Sequence, residues 1–277
     1  MNSMPHTKRL SALGTAVLAL AITTKAMAAA PDADTVAKQM KQALEPAQSS
    51  LRKVTLAVSQ DGETREVMLG EARGRAGAES HILVVVLAPQ DLRGTAFLVK
   101  EEPAGMNDTT WMYIPAVRRV RKLVSPEAYS AFLNSDFTYS DLGFVNTRPS
   151  VSMQSEETRS GAARAYLLRA VPKESWYYSK IETTVAADSY LPIERHYFDP
   201  AGALWKVERW DGVAVINGVP TALRATIDDV QYKSQSSLKV TDLQYGAQVP
   251  ETLFQPDNLP EAVSSPVWSK LAAPVGR

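Results

Sequence analysis

The chain has 277 residues, with 30 Lys and Arg against 30 Asp and Glu, 45% hydrophobic residues and no cysteine. Balanced charge leaves no basic footprint for nucleic acid. A chain without Cys can form no disulfide and carry no acyl group on a cysteine, so its stability must come from a core.

Residues 1–28 read as a secretory signal peptide outside the fold. Lys8 and Arg9 form a positive start, 10–22 an apolar run, and Ala26-Met27-Ala28 an A-x-A cleavage site. The run is shorter than the roughly 20 residues of a membrane-spanning helix. Cleavage after Ala28 removes Lys8, Arg9 and Lys25 and no acid. The expected product is a slightly acidic, freely diffusing periplasmic monomer with one domain over 29–255.

Residues 34–43 are predicted to form the first helix, capped by Asp34, with Val36, Met40 and Leu44 at i, i+4, i+8 and Pro46 ending it. The narrow apolar stripe lays this helix on something rather than inside it. From Val54 the period becomes two. Val54, Leu56 and Val58 alternate with Thr55, Ala57 and Ser59, Asp61-Gly62 turns the chain, and 65–73 returns. The continuous apolar run 82–87 and the segments 94–100 and 111–114 extend the strand series.

After Pro115 a second strand carries Arg118, Arg119, Arg121 and Lys122, followed by a short helix near 126–133 and the run SDFTYSDL. Further strands are predicted at 165–171, 176–186, 191–198, 204–211, 213–216, 223–230 and 238–245. Asn217-Gly218 is the strongest hairpin signal, because both positions of a type I′ turn need positive φ. Hairpins this short exclude the crossover helices of a parallel sheet. The tail 256–277, with Pro260, Pro266 and Pro274, reads as an extended strap or a loose end.

The stretch 111–142, WMYIPAVRRVRKLVSPEAYSAFLNSDFTYSDL, resembles the signature of the LolA-like periplasmic outer-membrane lipoprotein-sorting proteins. There an aromatic W-x-Y-x-P precedes an Arg-rich strand and a downstream S/T-D-F-T-Y-x-D-L. The resemblance implies a carrier or chaperone for lipoprotein acyl chains or other lipid, meeting an inner-membrane transporter and an outer-membrane acceptor. The strand inventory points to a mainly β (α+β) fold: ten or more antiparallel strands must curl, and two short helices suffice only for a lid. The fold expected is therefore a curled antiparallel sheet forming a half-closed β-barrel with a helical lid, LolA/LolB-like. The specific match covers 111–142, and the rest agrees in architecture.

A carrier needs an apolar pocket. Alternation nominates Leu83, Val85 and Leu87, then Phe97 and Val99, then Met112 and Ile114 as its lining, although the same residues would serve an ordinary core. Trp111 and Tyr113 share the opposite strand face and, with Phe137, Tyr139, Asp136 and Asp141, are the candidate lid or gate. The plainer alternative is that SDFTYSDL only staples the lid to the sheet. Strand parity puts Arg118 and Lys122 on one face and Arg119 and Arg121 on the other. One Arg pair is expected to dock on Asp136 and Asp141, and the free cations to meet an anionic headgroup or partner. The plain account is a solvated strand.

Chemistry-bearing motifs are scarce. Beyond the signal segment the histidines are His81 and His196, the latter near Glu194. No H-E-x-x-H, G-x-S-x-G or Walker-type loop occurs. The chain is read as no enzyme, with no cofactor and no metal. A second functional reading is a non-carrier accessory protein docking on an envelope transporter of the RND type.

Overall fold

Period-two alternation dominates the computed structural model, which describes residues 31–76, 79–101, 108–144 and 151–272. The segment 1–28, expected to be a signal peptide, and the end of the tail lie outside the described residues. The strands are β1 (Ser50–Gln60), β2 (Glu63–Ala76), β3 (Glu79–Ala88), β4 (Ala96–Glu101), β5 (Thr109–Ile114), β6 (Arg119–Lys122), β7 (Val151–Ser160) and β8 (Ala163–Pro172). They continue with β9 (Lys180–Ala186), β10 (Pro192–Phe198), β11 (Leu204–Asp211), β12 (Ala214–Ile216), β13 (Val219–Thr221), β14 (Arg224–Asp229) and β15 (Ser234–Tyr245). Both foreseen tight turns form, with Asp61 and Gly62 at φ 52° and 82° and Asn217 and Gly218 at 49° and 81°.

Thirteen strands make one antiparallel sheet in the order β6-β5-β4-β3-β2-β1-β15-β14-β11-β10-β9-β8-β7, while β12 and β13 pair separately. The chain starts at mid-sheet, winds out to β6 at one edge, reappears as β7 at the other and returns to pair β15 with β1. β6 and β7 therefore lie at opposite edges of an open sheet. Whatever joins them must cross a face.

The helix α1 (Ala33–Leu44) shows which way the sheet curls. Asp32 caps it, not Asp34, accepting a hydrogen bond from Thr35 N at 2.7 Å. Val36 is buried against Tyr166 and Leu168 of β8 and Val185 of β9, while Lys41 reaches Glu101 of β4 at 3.6 Å. β4 and β8 are nine strand steps apart, about 43 Å in a flat sheet at roughly 4.8 Å per step. A helix of 12 residues is about 18 Å long. The sheet must bend toward α1, so the face bearing Val54, Leu56, Val67, Ile82, Phe97 and Met112 is the concave one.

The convex face is covered by the C-terminal segment, which is a strap of short helical turns and not an extended one. Leu253 and Phe254, then α2 (Leu259–Ala262), then Val267, Trp268 and α3 (Ser269–Ala272) pack on Leu51, Ala72, Leu98 and Tyr113. Two glycines of β2 make room for it. A Cβ on Gly70 would stand 2.6 Å from the Trp268 ring, and one on Gly74 would stand 2.5 Å from the Phe254 ring. Gly74→Ala is expected to overpack this layer and lower the unfolding free energy by about 1–3 kcal/mol, read as a fall in the urea midpoint with an unchanged slope.

Candidate functional site

Residues 123–144 leave the β6 edge and lie across the concave face as a lid. Two 3-10 turns, Ser125–Tyr129 and Phe132–Asn134, replace the helix expected near 126–133. The small polar residues of SDFTYSDL close the backbone on itself. Ser135 Oγ donates to the Phe132 carbonyl at 2.7 Å, Thr138 N donates to Asp141 Oδ2 at 2.9 Å, and Asp141 N donates to Thr138 Oγ1 at 3.0 Å. With its backbone satisfied locally, the lid turns its aromatic side chains to the sheet. Phe132, Tyr139 and Phe144 surround Phe97, with ring centroids 5.2, 5.8 and 6.4 Å away, and Phe137 is fully buried in the same cluster.

A few polar contacts tie the lid down. Arg65 of β2 donates to the Leu133 and Asn134 carbonyls at 2.8 and 3.4 Å. The Asp136 carboxylate accepts from Ser234 Oγ and Ser236 Oγ, both at 2.5 Å, and Asp136 N donates to Ser236 Oγ at 2.9 Å. Asp141 accepts from Tyr178 OH at 2.9 Å. Lys206 Nζ donates to the Asp136 carbonyl at 2.6 Å and lies 3.6 Å from Asp141 Oδ2. An open groove of about 460 Å³ between the β1–β2 and β14–β15 turns includes Ser234 in its wall, so this clasp lies beside solvent.

Of the residues nominated as lining, Phe97, Val99, Met112 and Ile114 do belong to the concave face beneath the lid. Leu83, Val85 and Leu87 do not. They point to the convex face under the C-terminal strap, and Ile82, Val84 and Val86 are the members of β3 that face the lid. Trp111 and Tyr113 also sit on the strap side, away from any gate formed by Phe137 and Tyr139. The expected docking of an Arg pair on Asp136 and Asp141 is not made. Arg121 pairs instead with Glu127, inside the lid's own first turn, at 2.8 Å. Arg118, in a left-handed turn at φ 48°, is exposed, as are Arg119 and Lys122, the last set over the Trp111 ring at 5.2 Å.

The other half of the concave face is polar, and no motif announced it. Tyr197 of β10 donates to Glu208 of β11 at 2.7 Å, and Arg195 approaches Glu208 at 3.5 Å. Burial pushes the Glu208 carboxyl up to about 7 against the pull of Arg195, and burial also drives the Tyr178 and Tyr197 hydroxyls well upward. The one available signal was spacing: Arg195 and Tyr197, and Lys206 and Glu208, are i, i+2 pairs, each sharing one strand face. A second ionic cluster, Arg52, Glu71 and Arg73, lies under the end of α1. Arg73 Nε donates to Glu71 at 2.6 Å, and Arg52 stands 3.4 Å from it.

The two histidines are dispersed. His81 contacts Glu79 and the Phe254 ring on the convex side, and His196 contacts Glu194, itself bound by Arg209. Among the described residues no three His, Asp or Glu side chains converge as metal ligands, and no helix is long and apolar enough to cross a membrane.

A family model described as "Uncharacterized protein" matches residues 78–261. No curated protein matches the chain by sequence. Among solved structures it is similar to a DUF1329 family protein from Desulfovibrio piger, with TM-score 0.72 and 21% identity over 82% of this chain and 97% of that one. It is also similar to a candidate outer-membrane lipoprotein-sorting domain from Vibrio parahaemolyticus, with TM-score 0.72 and 21% identity over 82% and 99%. A LolA superfamily protein from Nitrosomonas europaea matches with TM-score 0.63 and 19% identity over the same shares. The chain belongs to the family that the matching model describes, and its fold is LolA-like.

Proposed function

We propose that the protein is a periplasmic carrier or chaperone. It shelters the acyl chains or another apolar part of its cargo against the concave face and ferries that cargo between the inner and outer membranes. One observation carries this reading. Among the described residues the apolar concave face around Phe97 is filled by one excursion of chain, 123–144, held to the sheet by a handful of polar contacts, where an ordinary core would be closed by further strands. An excursion of that kind can lift as a unit and expose Phe97, Val99 and Met112 to a ligand. The likeness to a candidate lipoprotein-sorting domain supports the cargo class, and the N-terminal segment supports the compartment. Arg118, Arg119 and Lys122, exposed at the β6 edge, supply a cationic face for delivery to a headgroup, an inner-membrane transporter or an outer-membrane acceptor.

Native mass spectrometry of protein drawn from its own periplasm is expected to show an acyl-bearing adduct. Uptake of the neutral fluorophore N-phenyl-1-naphthylamine tests the chamber directly. Arg65→Ala, which releases the Leu133 and Asn134 carbonyls, is expected to raise that uptake about tenfold, the worth of one charge-assisted tie. Absence of any adduct, together with no uptake by either protein, would remove the carrier reading.

A further inference from the structure

Lys206 is buried on the concave face, 3% exposed, where a charge is tolerated only if it is answered. The sheet offers it the Trp205 ring at 5.3 Å and the nearby Glu208, but among the described residues its hydrogen-bond and ion-pair partners both belong to the lid: the Asp136 carbonyl and the Asp141 carboxylate. The same holds for its neighbours. Tyr178 OH donates to Asp141, and Ser234 and Ser236 donate to Asp136. The sheet and the connection leading into β9 thus present a cation and three hydroxyls, and the lid answers them with two carboxylates and the Asp136 carbonyl.

The remaining titratable groups nearby keep hydrogen-bond partners outside the lid. Arg195 and Glu208 meet each other and Tyr197. Asp229 accepts from Trp205 Nε1 and from the backbone of Gln231 and Tyr232. Arg65 also loses its lid carbonyls when the lid lifts, but it is not buried. Among the described residues Lys206 is the buried cation whose hydrogen-bond and ion-pair partners both lie in the lid. Cargo that takes the places of Phe137 and Tyr139 must carry Asp136 and Asp141 away with them, since all four lie within the short segment 136–141. A neutral or cationic cargo would then leave the Lys206 ammonium without a hydrogen-bond acceptor beneath an apolar cover, whereas an oxyanion would supply one.

We propose that Lys206, Tyr178, Ser234 and Ser236 form a headgroup subsite for an amphiphile ending in a phosphate or carboxylate, which Asp136 and Asp141 occupy as stand-ins while the lid is shut. This assignment rests on the carrier reading and adds the class of headgroup. Charge-assisted bonds of the N⁺–H···O⁻ kind supply the discrimination.

The test is competition against bound N-phenyl-1-naphthylamine on the full mature chain. The competitors are dodecyl phosphate, dodecanoate, neutral dodecyl maltoside and dodecyltrimethylammonium. At least one anion is expected to bind about tenfold or more tightly than the neutral and cationic chains. The stronger of phosphate and carboxylate identifies a phospholipid-type or fatty-acid-type source.

Lys206→Met is expected to shrink that preference to within about twofold while leaving dodecyl maltoside unchanged, and Lys206→Arg to keep it. Because Lys206→Met leaves the buried Asp141 without its cation and risks the fold, Asp141→Asn is the companion. It removes the stand-in and is expected to increase the anion preference further. Equal displacement by all four amphiphiles in the wild type, or a preference unmoved by either change, would overturn the subsite and leave the carrier reading standing. Failure of the fluorophore to bind even Arg65→Ala, with no adduct on the native protein, would instead strike the carrier reading itself.

Discussion

Phe137→Ala is expected to lower the unfolding free energy by about 3–5 kcal/mol, the usual cost of emptying a fully buried phenylalanine site, and to raise apolar probe uptake at the same time. Phe137 has no exposed surface and sits in the lid's aromatic cluster over Phe97. Removing its ring weakens the lid and leaves a void in the same place, so the stability loss and the gain in uptake share one cause. Phe254, a strap residue 2% exposed against the convex face, is the matched control. Phe254→Ala is expected to cost a similar amount and admit no probe, because the strap covers no chamber. Urea unfolding and fluorophore titration of both variants read the two effects separately. If both variants gained uptake equally, or neither did, the residues 123–144 would be core like any other.

The contrast between those phenylalanines was beyond the sequence for a definite reason. Alternation identifies strands and tells which residues share a face, and it did so for Phe97, Val99, Met112 and Ile114. Which face is concave depends on pairings between distant strands, above all β1 with β15, and on a helix spanning from β8 to β4. β3 carried even less information, since its run from Ile82 to Val86 is buried on both sides and has no polar member to break the tie. β7 escaped notice because the edge strand VSMQSEETRS is mostly polar and pairs on one side only, with β8.

The lid shows the same division. Its aromatic and acidic run was legible as a motif, and Asp136 and Asp141 do hold the lid to the sheet. Their partners were not legible. Arg121 is close in sequence to both acids, yet Glu127 captures it within six residues and also accepts from Val124 N at 2.9 Å. Local closure wins over a longer reach whenever it satisfies a backbone donor as well. Beyond the local Thr138 bond to Asp141, that leaves Asp136 and Asp141 to groups 37 to 100 residues away, a distance at which no spacing rule operates.

Glu208→Gln is expected to make the protein relatively more stable at neutral pH, the reverse of the usual result for removing half of an ion pair. Burial holds the Glu208 carboxyl at about 7, from an ordinary value of 4.5, with Asp141 adding to the rise and Arg195 opposing it. Between those values the folded protein keeps a proton that the unfolded chain has released. The stabilisation from this group is therefore complete below about pH 4.5 and is lost as pH rises through 7. The shift corresponds to roughly 3 kcal/mol.

Glutamine mimics the protonated acid and does not titrate. The difference in unfolding free energy between variant and wild type should accordingly move by about 3 kcal/mol in the variant's favour between pH 4.5 and pH 8. Glu45, raised by burial and by Glu101, and Glu71, held down by Arg52 and Arg73 in spite of burial, titrate in both proteins and cancel in the difference. Urea unfolding of the pair at pH 4.5 and pH 8 measures it. A difference that stays constant would mean that the Arg195 contact outweighs burial and keeps Glu208 ionised throughout.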